Sequence, residues 1–240
     1  MQGNLHRRRI VAVLAALLVC MLCAACKGTE NGQSAAGDTG TQNTDGIPAF
    51  PCESGELIAM ARAYYEDEGG FLAPKAECTP NNDGTYTLHL YEIVEDGEDS
   101  WHTATACWYT VDAFGTGTDD VMGTAVQLKL LSVADTAAYL EIPVKLLYVQ
   151  DTEAHNEWEI DDPEVITSCL EALQQIETGQ EMELRASDAG ETLVFEMADK
   201  STWTLSFESG NLLKNGICYE TKGYHAVDNV LKDYLAKEEY

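Results

Sequence analysis

Basic residues are scarce in this chain, and that scarcity excludes whole classes of function. Of its 240 residues 14 are Lys or Arg, against 41 Asp or Glu. Arg7, Arg8 and Arg9 stand near the start, whereas every acidic residue follows Cys26; beyond Cys26, 11 basic residues face 41 acidic ones, a net charge of −30. Nucleic-acid phosphates are held by clustered Lys and Arg. No such cluster exists past Arg9, so nucleic acid is not an expected partner. The same charge repels anionic lipid headgroups, and any adhesion to a membrane needs another source.

Catalytic signatures are missing too. There is no G-x-S-x-G elbow, no H-E-x-x-H pair and no phosphate-cradling glycine loop. The loop 112–120 resembles a calcium loop only superficially: counted from Asp112, the third, fifth and twelfth places hold Phe114, Thr116 and Gly123, where an EF-hand needs oxygen ligands and a closing glutamate. It reads as a hairpin turn. Of the histidines after Cys26, His89 and His102 fall on neighbouring strands. With His102 opposite Glu92 or Ile93, roughly 10–13 Å separate the two, too far for a shared metal. His155 and His225 have no ligand-like neighbours in sequence. Acid pairs such as Asp119-Asp120 and Asp161-Asp162 fall in turns and caps, not in the facing arrangement that glycoside hydrolysis requires. No metal, no cofactor and no catalytic residue is assigned.

What is present starts with the first 26 residues. Three arginines precede an apolar run from Ile10 of about 16 residues, and small residues follow before the chain turns polar at Lys27. That order is a secretory leader, shorter than the ~20 residues of a permanent membrane span. Ala24-Ala25 immediately before Cys26 resembles the lipobox of bacterial lipoproteins, although Cys23 stands where Leu is usual and Leu22 lies one place further back. The resemblance implies cleavage after Ala25, lipidation of Cys26, and a membrane anchor at the outer face of the cell. A diacylglyceryl group carries two acyl chains, enough for stable attachment. The Cys23–Cys26 spacing also spells C-x-x-C, but cleavage separates the two sulfurs.

From residue 27 to about 46 no apolar residue exceeds Ala in size. Such a stretch cannot offset its ordering entropy and reads as a flexible linker, with a mean span on the order of 25 Å. The expected organisation is a leader over 1–25, a lipidated Cys26 and linker over 26–48, one folded unit over 49–132 and a second over 133–240. Both units are expected to be α+β, each a helix packed on an antiparallel sheet.

In the first unit, Ser54 is the expected N-cap of a helix whose apolar face carries Leu57, Ile58, Ala61, Tyr64 and Tyr65, and Gly69-Gly70 stops it. A strand over 85–94, an acidic tip over 95–100 and a returning strand over 102–112 follow. In the second unit, 139–150 reads as a strand that Pro143 restricts to an edge or bulge. Asp162-Pro163-Glu164 starts a helix with Val165, Ile166, Cys169, Leu170, Leu173 and Ile176 on one face and Gly179 as its stop. Alternation sets 193–197 and 203–207 as a hairpin, with Met197 opposite Trp203 and a loop of Asp199-Lys200-Ser201. A strand over 217–221 after Asn215-Gly216, a short one near 182–185, and a closing helix with Val227, Val230, Leu231, Tyr234 and Leu235 complete a β-α-β-β-β-α pattern. Cys52, Cys78, Cys107, Cys169 and Cys218 follow no zinc spacing; Cys169 is expected as a buried thiol, and a Cys52–Cys78 bridge is conceivable.

One face carries a sharper expectation. If Leu88 and Leu90 face the helix, His89 and Tyr91 face outward, and Trp108 joins them when Cys107, Tyr109 and Val111 point inward. His89, Tyr91 and Trp108 are therefore the candidate ligand-binding residues, suited to stacking on a sugar ring or on a partner protein.

The strings TYTLHLYEIV, WHTATACWYTVDAFGTGTDD and TLVFEMADKSTWTLSFESGNLLKNGICYET resemble two-module surface lipoproteins of Gram-positive, Clostridia-like bacteria. That resemblance implies a lipid-anchored extracytoplasmic protein and supplies no catalytic residues. The expected role is a non-catalytic binding or interaction module whose partner is an envelope protein or a glycan. The alternatives are a regulator or inhibitor of an envelope enzyme and a hydrolase with an unrecognised site.

Overall fold

One helix and a five-stranded sheet account for the first half of the fold. The computed structural model describes residues 51–97, 100–151, 155–183 and 190–238; the leader, Cys26 and the linker lie outside the described residues. Helix α1 (Ser54–Asp67) is followed by β1 (Lys75–Pro80), β2 (Tyr86–Gly97), β3 (Ser100–Val111), β4 (Thr116–Asp119) and β5 (Ala125–Gln127). The five strands pair in chain order as an antiparallel meander. Leu57, Ile58 and Ala61 of α1 bury against Leu88, Leu90, Tyr109, Val111 and Val126 of the sheet, and Tyr64 meets Tyr109 edge to face at 5.8 Å.

The second half contributes α2 (Val133–Tyr139), β6 (Lys145–Asp151), β7 (Asn156–Ile160), α3 (Pro163–Leu173), β8 (Glu177–Met182), β9 (Gly190–Glu196), β10 (Thr202–Glu208), β11 (Asn211–Lys214), β12 (Ile217–Lys222) and α4 (Tyr224–Glu238). Its strands form an antiparallel sheet in the order β7-β6-β9-β10-β11-β12-β8. Leu193, Phe195, Trp203, Leu205 and Phe207 alternate into a core shared with Ile166, Cys169, Leu173, Val227 and Leu231 of the helices. The fold is α+β, with helices packed on each of two antiparallel sheets.

Several local expectations need correction. Ser54 is not the cap of α1: Glu53 is, and its backbone N–H donates to the Glu56 carboxylate at 3.0 Å. The Ser54 hydroxyl is used elsewhere, accepting from Thr202 N–H at 3.0 Å. The expected strand over 139–150 is the end of α2 followed by β6. Ser132 caps α2 through Asp135 N–H, and Pro143 stays outside the strand, so β6 pairs on both sides with β7 and β9. Helix α3 starts as read, with Asp162 accepting from Glu164 N–H at 2.9 Å, but it ends at Leu173 and Gly179 sits within β8.

The β9–β10 hairpin is shifted by two residues from the expected register: Trp203 pairs with Phe195, not Met197, and the loop is 198–200, not Asp199-Lys200-Ser201. Met197 N–H donates to Ser201 C=O and Lys200, at φ 75°, completes the turn. A slip of two leaves every side chain on the same face, so alternation cannot detect it. Of the short strand read near 182–185, Met182 ends β8 (Glu177–Met182), Glu183 is not in a strand, and the rest lies outside the described residues.

The halves belong to one compact unit and meet along a polar seam. Arg62, buried in α1, donates from Nε to Ala73 C=O at 3.0 Å and from Nη1 to Tyr139 C=O at the end of α2. Glu141 accepts from Lys75 Nζ at 2.7 Å and from Ala76 N–H at 3.1 Å, while Asp199 accepts from Cys78 N–H at 2.8 Å. Glu53 accepts from Thr204 N–H at 2.9 Å and Glu56 from Lys214 Nζ at 2.6 Å. At Gly55 a Cβ would lie 2.7 Å from Thr202 C=O and 2.9 Å from Trp203 Cβ, so only glycine lets α1 approach β10 this closely.

Burial holds the Arg62 guanidinium below its usual range, with Glu141 and Glu66 opposing that shift. Arg62→Met keeps the volume but leaves two carbonyls without their donor. Urea unfolding is expected to show a loss of about 3 kcal/mol; a loss within 0.5 kcal/mol, the usual range of a surface substitution, contradicts this account of the seam.

Candidate functional site

Period-two alternation places Leu88 and Leu90 under α1, together with Cys107, Tyr109 and Val111, all buried. The intervening side chains stand on the opposite face, which no helix covers among the described residues. There His89, directly across from Trp108 in the β2–β3 ladder, is stacked on it with ring centroids 3.8 Å apart and planes 4° from parallel. Tyr91, two residues further along β2, stacks on the other side of the imidazole at 4.7 Å and 23°. The three expected residues are therefore brought together, but as a row of rings face to face and not as a flat platform.

This geometry decides what the face offers. Both faces of the imidazole are occupied and His89 is only 9% exposed, leaving the outer faces of Trp108 and Tyr91 and the ring edges for contact. The polar rim is fixed: His89 Nε2 is 3.0 Å from Thr105 Oγ1, and Tyr91 O–H donates to Glu77 Oε1 at 2.9 Å. Glu77 Oε2 lies 4.0 Å from His89 Nδ1. Burial pushes the Tyr91 hydroxyl up to about 12, reinforced by the hydrogen bond to Glu77.

The same face extends further than expected. Continuing the alternation along β2 brings Ile93 and Glu95 to it, and the register Ile93–Thr103 and Glu95–Trp101 adds their β3 partners. Trp101 is 68% and Ile93 51% exposed. Neither belongs to the expected site; the signal that could have found them is the unbroken alternation past Tyr91. His102 pairs with Val94, not with Glu92 or Ile93, because the hairpin closes tightly at Gly97–Ser100. It points to the other side, 2.5 Å from Asp96, and shares nothing with His89.

The remaining polar clusters are built differently. Glu191 accepts from Tyr148 O–H at 2.8 Å, from Gln150 Nε2 at 3.3 Å and from Tyr224 O–H, tying β6, β9 and α4 together at an open groove of about 680 Å³ that His225 also lines. Residues so far apart in sequence carry no motif, and the carboxylate spends its lone pairs on the fold. The exposed His155 lies within reach of the carboxylates of Asp151 and Glu157, whose hydrogen bonds raise its pKa.

No disulfide joins Cys52 to Cys78; Cys52 Sγ instead lies 3.7 Å from Met60 Sδ in the first core. Burial pushes the thiols of Cys52, Cys78 and Cys169 up to about 12 and that of Cys107 to about 11. Thiolate is the reactive form, so Cys107 and Cys169 are expected to resist a disulfide reagent at pH 8 until urea unfolds the chain. Rapid labelling of either in the folded protein contradicts that burial.

Burial depresses the His89 pKa below its ordinary 6.5, with Glu77 opposing the shift. The unfolded chain therefore takes up the proton first, and the stability that His89 contributes above pH 6.5 is lost as pH falls towards its folded value. In an NMR titration His89 is expected to titrate below 6.5 and His155 above it; the reverse order overturns the stacked geometry.

The chain matches no protein-family model, no curated protein and no solved structure.

Proposed function

We propose that this is a lipid-anchored, extracytoplasmic binding protein whose contact surface is the outer face of the five-stranded sheet. The observation that carries the reading is the aromatic row Trp108–His89–Tyr91, continued by Ile93 and Trp101 on a face that no helix covers among the described residues. Exposed apolar surface rimmed by polar groups is characteristic of interaction sites. The basic leader, the short apolar run and Ala24-Ala25-Cys26 support export and attachment through Cys26.

The placement of the chain entry suits that role. Cys52 N–H donates to Ala113 C=O at 2.7 Å, beyond the end of β3 at Val111, whereas the β2–β3 hairpin closes at the opposite end, roughly 36 Å away at strand spacing. A linker arriving from Cys26 thus joins one end of the sheet, and Trp101 stands towards the other. The ligand is an envelope protein or a glycan.

Asp119 is engaged in a turn with Val121 and Met122 N–H, Asp162 caps α3 through Glu164 N–H, and Glu191 is held by the hydroxyls of Tyr148 and Tyr224. That supports binding over a hydrolase reading. Regulation of an envelope enzyme would use the same face; the projecting hairpin favours it as the second reading.

Cells fed labelled fatty acid are expected to label the wild-type chain and not Cys26→Ala. The unlipidated Cys26→Ala protein should co-sediment with isolated envelopes, and adding Trp108→Ala with Tyr91→Ala should weaken retention about tenfold, the cost of an interface anchor of at least 1.4 kcal/mol. An unlabelled wild type overturns the anchor. Retention that is absent, or indifferent to both substitutions in a folded protein, overturns the binding face.

A further inference from the structure

Two strands of the first sheet outgrow their neighbours. β1 stops pairing with β2 at Lys75–Tyr91, and β4 stops pairing with β3 at Tyr109–Asp119. β2 and β3 continue together to Gly97–Ser100. Residues 92–97 and 100–104 therefore form a two-stranded arm, and none of them is buried. At its root the ladder shifts register between Leu90 and Tyr91, leaving Ala106 as an extra residue; such bulges bend and twist a strand away from its sheet.

The arm has what proteins usually avoid: paired strands with unpaired outer edges. Among the described residues, no strand pairs with β3 from Ser100 to Cys107 except β2. Exposed apolar side chains stand at both ends of this open edge, Trp101 near the tip and Val121 and Met122 at the β4–β5 turn near its foot, each at least 68% exposed. The arm also carries Glu92, Glu95 and Asp96, with Glu98 and Asp99 following in sequence and no Lys or Arg.

We infer that the open edge of β3 accepts, as an added strand, an extended and basic segment of a partner protein. The inference rests on the binding role proposed above and names its partner. Strand addition supplies main-chain hydrogen bonds, while side-chain pockets and charge select the sequence. A second copy of this chain is disfavoured as the occupant because it would bring another acidic arm and a net charge of the same sign. Complementary charge instead draws a Lys- or Arg-bearing strand and fixes its register.

The test uses the full chain with Cys26→Ala and a peptide of about eight residues alternating Lys and Val, matched to the open run at strand spacing. Controls replace Lys by Glu or place Pro at the centre. Saturable binding of the basic peptide alone is expected, with a blue shift of tryptophan emission lost in Trp101→Ala and slowed amide exchange over 100–107. Glu92→Gln with Glu95→Gln and Asp96→Asn, or 1 M salt, should weaken it about tenfold as screening shortens the reach of the charges.

No binding, binding indifferent to the arm substitutions, or exchange slowed elsewhere overturns the inference. So does arm-dependent dimerisation or a neutral oligosaccharide that alone shifts Trp101. If envelope retention still depends on Trp108 and Tyr91 while the basic peptide fails, the arm assignment falls and the binding face stands.

Discussion

The buried guanidinium of Arg62 is the constraint on which the arrangement of the two sheets depends. It spans the loop after α1 and the C-terminal end of α2, donating to Ala73 and Tyr139 carbonyls that no strand or helix partner satisfies. A cation at a helix C-terminus also complements the dipole there. Because α1 is simultaneously the helix that roofs the first core, fixing Arg62 fixes the first sheet against the second. Gly55, four residues after Pro51 and near the other end of the same helix, then sets how closely α1 approaches β10. Charge and close packing act at the two ends of one element.

The seam also settles which sheet edges stay open. β1 is an edge strand, yet its outward N–H groups are occupied: Ala76 donates to Glu141, Cys78 to Asp199, and Pro80 has no N–H to offer. These carboxylates come from the second half of the chain and close the edge to strangers. Asp120 N–H still reaches Trp108 C=O at 2.9 Å, and among the described residues no strand but β2 pairs with β3 from Cys107 to Ser100. The contrast within one sheet gives the arm its meaning: an edge closed by specific acceptors on one side and left open beside exposed tryptophan and isoleucine on the other. The register shift at Leu90–Tyr91 falls where the closed part ends, so the aromatic row lies at the hinge between sheet and arm.

Much of this was legible in sequence and some was not, for physical reasons. Helical spacing of Leu57, Ile58 and Ala61, the Asp162-Pro163-Glu164 start and the Asn215-Gly216 turn are local signals, and each marks an observed element. Alternation about Leu88 and Leu90 was enough to gather His89, Tyr91 and Trp108. β1, β4, β5, β7 and β11 were missed because their residues, Thr-Gly-Thr-Asp in β4 for example, carry little apolar pattern and owe their conformation to pairing. The seam was invisible: Arg62 and Glu141 look like solvated charges until distant carbonyls and amides surround them. The ring row itself illustrates the limit, since alternation assigns a face but not whether rings lie flat or stack upon one another.

The acidity of the chain acquires a different meaning once the cations are placed. Arg62, Lys75 and Lys214 are drawn into the seam, and Lys145, Lys200 and Lys232 each pair with a neighbouring carboxylate. Few positive charges are left to interrupt a surface that is net −30 beyond Cys26. A field of that sign, felt over about 10 Å at 0.1 M salt, raises the encounter rate with basic partners and repels acidic ones. In the binding role proposed above, selection by charge would operate before any contact forms, and the aromatic face and open β3 edge would determine only what is kept. The same field opposes the pairing of two copies of this chain through the open edge of β3.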